Sequence, residues 1–64
     1  MKLIKDRHQL YHKSNDKAIP AKGIEIVGDV VIVHKHYLGP IELPIDSVGI
    51  CNIDTEDEYD VRTY

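Results

Sequence analysis

The stretch from residue 23 to residue 53 most constrains what this chain of 64 residues can fold into. Two apolar runs, Ile24–Val27 and Val30–Tyr37, flank the dipeptide Gly28-Asp29, and this arrangement is typical of a two-residue turn in a β-hairpin. Because side chains alternate between the two faces of a strand, such a turn also determines which residues share a face. The core face is predicted to carry Ile24 opposite Val33 and Ile26 opposite Val31.

Shorter strands are predicted on both sides of this hairpin. Downstream, a turn at residues 38–40 precedes Ile41–Ile45, in which apolar and polar residues alternate, and a core strand follows at Val48–Ile53. Upstream, His8–His12 is predicted to be a strand. Pro20 cannot donate a hydrogen bond to a sheet, so the segment around it is predicted to be an edge or a loop.

Length and cysteine content limit the chain to one small domain without covalent cross-links. A domain of this length buries only about 60% of the surface that its unfolded chain exposes. The single cysteine excludes an intrachain disulfide and the zinc patterns that use paired cysteines. The first residues do not resemble a signal peptide, and no apolar run is long enough to span a bilayer. A cytoplasmic protein is therefore expected.

The charge is distributed unevenly along the chain, although the net charge is only −3. Residues 1–22 carry six Lys and Arg against two acidic residues, whereas the remaining residues carry nine acidic residues against two basic ones. We therefore predict a single domain over residues 1–53 and an exposed, partly disordered acidic tail over residues 54–64. Only docking of the tail through Tyr59, Val61 and Tyr64 would order it.

Three short segments resemble the sequence pattern of SH3 domains, in the order in which those domains have them. They are Leu10-Tyr11, the run Ala21–Val27, which is similar to the start of the second long SH3 strand, and Leu43–Val48, which is similar to the turn before the last strand. The resemblance implies an all-β fold, a small five-stranded antiparallel SH3-like barrel. The chain lacks tryptophan and the tyrosine of the SH3 groove, so the resemblance does not extend to the binding of proline-rich peptides.

Signals for metal binding and catalysis are weak. His34 and His36 would share one face of a strand, as metal-binding pairs often do, but a zinc site needs three or four ligands with supporting partners. His8 and His12 could in principle join the pair, and beyond the histidines only Glu25 and Cys51 offer further ligands, so no metal site and no cofactor is predicted. Cys51 lies within an apolar strand pattern, which favours a buried structural thiol. No nucleophile and base are placed together, so the chain is predicted not to be an enzyme.

Binding to a protein partner is the function that the sequence favours. The acidic tail would dock onto a basic surface with the help of electrostatic steering. The small size suits a protein that is encoded by a phage or mobile element and modulates a bacterial protein. A small domain without cross-links often needs a partner to be stable, and a second copy of the chain in a homo-oligomer would also supply one. The predicted contact residues are Tyr11, His34, His36, Tyr37, Glu56, Asp57, Glu58 and Tyr59.

Nucleic-acid binding through the basic N-terminal segment is the alternative. Lysine and arginine side chains would contact phosphates there, and a tyrosine would stack on a base. The residues for this role are Lys2, Lys5, Arg7, Tyr11, Lys13 and Lys17.

Overall fold

The computed structural model describes residues 1–64, which form eight short β-strands and two 3₁₀ helices. The strands are β1 (Lys2–Leu3), β2 (His8–His12), β3 (Ala18–Ile19), β4 (Gly23–Val27), β5 (Val30–His34), β6 (Ile41–Pro44), β7 (Val48–Asn52) and β8 (Glu58–Asp60). One 3₁₀ helix, Ile45–Ser47, joins β6 to β7, and the C-terminal 3₁₀ helix, Val61–Thr63, follows β8. The predicted all-β fold is confirmed. Neither helix has the length or apolar character that crossing a membrane requires.

The strands pair into two antiparallel sheets of four strands each. The first sheet has the order β1-β4-β5-β6 and the second has the order β3-β2-β7-β8. The two sheets do not close into a barrel, and there are eight strands where five were predicted. The additional strands β1, β3 and β8 are only two or three residues long, which is too short for an alternating pattern to identify them.

The predicted hairpin is present as β4 and β5. Ile26 pairs with Val31 and Ile24 pairs with Val33, so the predicted register is confirmed. The turn depends on Gly28, whose φ is +59°. Glycine adopts a positive φ without strain, and turns with this geometry match the twist of the flanking strands.

The core lies between the two sheets. It consists of nine buried side chains that come from both sheets and from both 3₁₀ helices. They are Leu10, Ile19, Ile24, Val31, Val33, Ile45, Val48, Ile50 and Val61. Burying an aliphatic side chain of this kind contributes about 1.5–3 kcal/mol relative to leaving it exposed, so this cluster supplies most of the drive to fold.

Ile26 does not belong to the core, contrary to the prediction. Its side chain is 44% exposed, whereas that of Ile24, two residues earlier on the same face, is 2% exposed. β1 pairs only with Gly23 and Ile24, so the first sheet narrows beyond Ile24. A groove opens beside Ile26 at this point.

The long strand predicted to reach Tyr37 ends at His34. β6 pairs with β5 only as far as Val33, so the residues beyond have no neighbouring strand on that side. The chain then turns back through Gly39 and Pro40 to begin β6. His34 and His36 consequently do not share a strand face, and that prediction is wrong.

The segment after Ile53 contributes to the core instead of leaving it. β8 pairs with β7, with Tyr59 opposite Ile50, and the side chain of Val61 is 1% exposed. The prediction that the core ends near Ile53 is therefore wrong. Docking through Tyr59, Val61 and Tyr64, the exception that the sequence left open, is what the structure has.

Candidate functional site

The loop of residues 35–40 between β5 and β6 (the β5–β6 loop) presents the two most exposed large apolar side chains of the molecule. Tyr37 is 99% exposed and Leu38 is 69% exposed. Together with Lys35, His36 and Pro20 they line a shallow depression of about 360 Å³. Neither side chain packs on the core, so both are free to contact another molecule.

The base of this loop is held in place while its tip projects. The Lys22 backbone N–H donates to the carbonyl of His34 at 2.9 Å. The imidazole Nε2 of His34 lies 3.0 Å from the Glu25 carboxylate across the β4–β5 pair. At the other end, Pro40 restricts the backbone just before β6. A loop with fixed ends loses less conformational entropy when it docks.

A second surface lies on the outer face of the second sheet, around Tyr11 and Glu58. The Tyr11 ring crosses Gly49, where an added Cβ would come within 2.7 Å of the tyrosine Oη. Desolvation is the main cause that raises the pKa of Tyr11, and the charge of Glu58 adds to it. Tyr11, Glu58 and Cys51 help to line a pocket of about 160 Å³. Cys51 faces this half-buried site and not the core, contrary to the prediction, because the alternation along β7 directs Ile50 inward.

Three rings cluster where the C-terminal end of the chain meets the N-terminal segment. His8 stacks on Tyr59 with ring centroids 5.4 Å apart, and the Tyr64 ring lies 5.5 Å from His8. The ammonium groups of Lys2 and Lys5 lie 5.3 and 5.5 Å from the centroid of the Tyr64 ring. These contacts are within the range of cation–π attraction. Aromatic and basic residues from both ends of the chain thus form one surface.

Two arginines are engaged by carboxylates. Arg7 Nε donates to Asp54 Oδ2 at 2.9 Å. Arg62 Nη1 donates to Asp46 Oδ1 at 2.8 Å, and Arg62 Nη2 lies 3.6 Å from Asp29. The hydrogen bonds from the arginines lower the pKa of Asp54 and of Asp46. Arg7, a predicted phosphate contact, therefore already has an anionic partner within the protein.

The residues predicted to bind nucleic acid are distributed over several parts of the fold. Lys2 and Lys5 lie beside the Tyr64 ring, and Arg7 is bound to the carboxylate of Asp54. Lys13 and Lys17 lie in the turn between β2 and β3, and Tyr11 lies on the outer face of the second sheet. These basic residues are close together in the sequence, but they do not form one continuous basic patch on the folded protein.

The residues predicted to contact a protein partner are divided among three places. His34 ends β5, and His36 and Tyr37 follow it in the loop. Tyr11 and Glu58 lie at the outer pocket. Glu56 and Asp57 lie on the turn before β8, and Tyr59 lies in β8. The turn is hydrogen-bonded: Asn52 Oδ1 accepts from the backbone N–H groups of Asp54 and Thr55 at 2.8 and 3.1 Å. The acidic residues thus belong to an ordered turn.

No three side chains of the types that ligate metals come together in the structure. His34 contacts Glu25, and His36 lies apart in the β5–β6 loop. The nominal nucleophile Ser47 donates its hydroxyl to the carbonyl of Pro44 at 2.7 Å, so it acts as a local turn contact.

Sequence reasoning did not include Leu38 and Pro20 among the candidate contact residues. The sequence places Leu38 in the turn with Gly39 and Pro40, and it places Pro20 at an edge or in a loop. A usable signal was present, because an aromatic and an aliphatic residue stand side by side just before a Gly-Pro turn. Adjacent apolar residues in a short loop have few ways to reach the core and tend to form an exposed patch.

Comparison of the chain with protein-family models, with curated proteins and with solved structures finds no match. The surfaces described above are therefore the basis for a functional assignment.

Proposed function

We propose that the chain is a small, non-catalytic protein-interaction module whose main contact is the β5–β6 loop. The observation that supports this proposal is the exposure of Tyr37 and Leu38 side by side at the tip of the loop. Tyrosine is enriched among the residues that dominate binding energy at protein interfaces. Burying each of these side chains in a partner would contribute about 1.5–3 kcal/mol before the costs of association.

The chemistry of the loop defines the partner surface that it fits. Lys35 and His36 flank the apolar tip, and the loop contains no acidic residue. An apolar pocket bordered by carboxylates would complement both the tip and its rim. Loops on a fixed scaffold commonly carry binding residues because they can vary without disturbing the core.

The acidic turn at Glu56, Asp57 and Glu58 is proposed as a second contact, toward basic groups of the same partner. Exposed charges act mainly on the association rate, and salt screens them beyond about 10 Å at 0.1 M ionic strength. Changing all three to Gln or Asn should slow association and weaken its salt dependence. All three residues are exposed, so the melting temperature should remain nearly unchanged.

We also propose an SH3-like arrangement for the framework that carries these contacts. It is supported by the three-strand meander β4-β5-β6, by the single 3₁₀ turn that follows it, and by the pairing of β7 with β2. The three segments that resemble SH3 domains in sequence lie within β2, in and just before β4, and from the end of β6 to the start of β7. The contact loop lies outside those three segments.

Site-specific photo-crosslinking tests the role of the loop. A photoreactive amino acid is placed at residue 37 and, as a matched control, at residue 27, at the far end of the β4–β5 hairpin, where the Val27 side chain is also exposed. In a bacterial lysate the first position should give a discrete adduct, and Leu38→Ala should reduce its yield. Adducts of the same protein from both positions would refute a contact centred on the loop.

Affinity measurements with the purified partner complete this test. Tyr37→Ala and Leu38→Ala should each weaken binding about tenfold or more, which corresponds to about 1.4 kcal/mol. Val27→Ala should leave the affinity unchanged, and all three variants should keep the melting temperature of the parent protein. Unchanged affinity in both loop variants would contradict the proposal.

Nucleic-acid binding is the second proposal, and the position of Lys2 and Lys5 beside the Tyr64 ring favours it. Two ammonium groups next to a ring offer a phosphate contact and a stacking surface. Mobility shifts with single-stranded DNA and RNA at two salt concentrations test this proposal. Binding should weaken with salt and in a Lys2→Gln/Lys5→Gln double variant. No shift at low salt, or equal binding by the double variant, would exclude this surface.

A further inference from the structure

The backbone edge of β4 is only partly covered. β5 pairs with all of β4, from Gly23 to Val27, whereas β1 pairs only with Gly23 and Ile24. Residues 25–27 therefore have a neighbouring strand on one side and none on the other. Unpaired backbone groups along a sheet edge form a template for another strand.

The hydrogen-bonding pattern identifies Ile26 as the residue whose backbone faces the free side. In an antiparallel pair, successive residues alternate between facing the partner strand and facing away from it. A two-residue turn makes its flanking residues Val27 and Val30 a hydrogen-bonded pair, so Glu25 and Val27 face β5 and Ile26 faces away. The Ile26 N–H and C=O also take part in none of the backbone hydrogen bonds outside the strands.

A groove runs beside this free edge. It lies between β4 and the C-terminal 3₁₀ helix and has a volume of about 420 Å³. Its lining includes the core residues Ile24 and Val61 together with the exposed side chain of Ile26. Because Ile24 and Ile26 lie on the same face of β4, the groove is the place where the core opens to solvent.

The charged groups of the groove favour an occupant with a carboxylate. Lys2 lines the groove and takes part in none of the ion pairs of the protein. Arg62 also lines it and is held by two aspartates. The one acidic side chain in the lining, that of Glu25, lies 3.0 Å from His34. A carboxylate of the occupant would meet the ammonium group of Lys2, which lies against the Tyr64 ring and has no anionic partner.

We propose that this groove binds an extended segment of another protein, which adds to β4 as an antiparallel strand in line with β1. The backbone of the segment pairs with the N–H and C=O of Ile26. The residue opposite Ile26 is apolar, because paired residues share a face and this face points into the groove. A nearby acidic residue of the segment contacts Lys2. In such strand addition the main chain supplies affinity and alternate side chains supply specificity. The surface is separate from the β5–β6 loop and does not rest on the function proposed for that loop.

The first test is hydrogen exchange at the amide of Ile26, followed by NMR. In the free protein this amide should exchange at least about tenfold faster than those of Glu25 and Val27, whose N–H groups face β5. A phage-displayed library of random octapeptides is then selected against the full chain, and the strongest binder is titrated into labelled protein. Bound peptide should slow exchange at Ile26 at least about tenfold.

Matched variants separate the groove from other surfaces. Ile26→Thr and Lys2→Glu should each weaken the peptide at least about fivefold, and N-methylation of the peptide residue opposite Ile26 should abolish binding. Val27→Thr, on the outer face of the same strand, should leave binding unchanged, as should Tyr37→Ala in the β5–β6 loop.

Three outcomes would overturn the proposal. One is a library that yields no peptide able to protect the amide of Ile26. Another is a peptide that binds the Ile26→Thr and Val27→Thr variants equally well. The third is protection of Ile26 that rises with protein concentration in the absence of peptide, because the occupant would then be a second copy of this chain.

Discussion

Ile24 and Ile26 show how the burial of a side chain depends on what lies over its strand. Both residues were predicted to be in the core because they share a face of β4, yet only Ile24 is buried. The alternating pattern identifies the face of a strand, but it does not indicate how far the opposite sheet extends over that face. The cover over that face also depends on pairing between segments distant in sequence, here β1 with β4 in the same sheet, which stops at Ile24.

The difference between these two isoleucines can be measured with a small, matched change. Ile24→Val removes one buried methyl group and should lower the free energy of unfolding by about 0.5–1.5 kcal/mol. Ile26→Val removes the same group from a half-exposed site and should change it by less than about 0.5 kcal/mol. Urea denaturation followed by circular dichroism measures both values. Equal losses would show that Ile26 is covered in solution.

At the scale of elements, turn chemistry was the most informative part of the sequence. Gly28-Asp29 was sufficient to predict the register of the hairpin, because a two-residue turn admits one pairing. β8 could not be predicted, since its residues lie within an acid-rich run whose composition favours exposure. Val61, with Tyr64 packed against the same core, ties that run to the fold, and so few apolar residues have no periodicity to detect.

Truncation tests the contribution of this C-terminal element. Removing residues 55–64 deletes β8 and the buried side chain of Val61, so the protein should lose cooperative thermal unfolding. From the sequence alone the domain ends at residue 53, so no core contact is expected to be lost with the residues beyond it. Val61→Ala should destabilise by about 1.5 kcal/mol, since about two methyl groups leave the core. Glu56→Gln, in the exposed turn, is the control and should melt like the parent. A truncated chain that melts like the parent would contradict the assignment of Val61 to the core.

At the scale of the whole molecule, part of the charge asymmetry of the sequence is used internally. The basic N-terminal segment and the acidic C-terminal segment were predicted to meet a partner, but Arg7 binds Asp54 across the fold. Lys2 and Lys5 likewise lie against the ring of Tyr64. A charge pattern in one dimension does not distinguish contacts with a partner from contacts between the two ends of the chain.

Acid should destabilise the molecule partly through Asp46 and Asp54. Hydrogen bonds from Arg62 and Arg7 lower the pKa of these carboxyl groups in the folded protein. The pKa of an aspartate in an unfolded chain is about 3.9. A group with a lowered folded pKa stabilises the fold at pH values above the unfolded pKa. This contribution is lost as the pH falls through the folded pKa. Both pairs are exposed, so the contribution is small.

Thermal melts between about pH 6 and about pH 2 measure this contribution. The melting temperature of the parent should decrease below about pH 4, where the aspartates begin to take up protons. An Asp46→Asn/Asp54→Asn variant should melt below the parent at the upper end of this range and approach it at the lower end, because it has no such carboxylates to protonate. Glu42→Gln is the control, since Glu42 forms none of the ion pairs, and it should follow the parent throughout. If the double variant and the parent instead stay a constant interval apart at every pH, the two arginine contacts do not stabilise the fold.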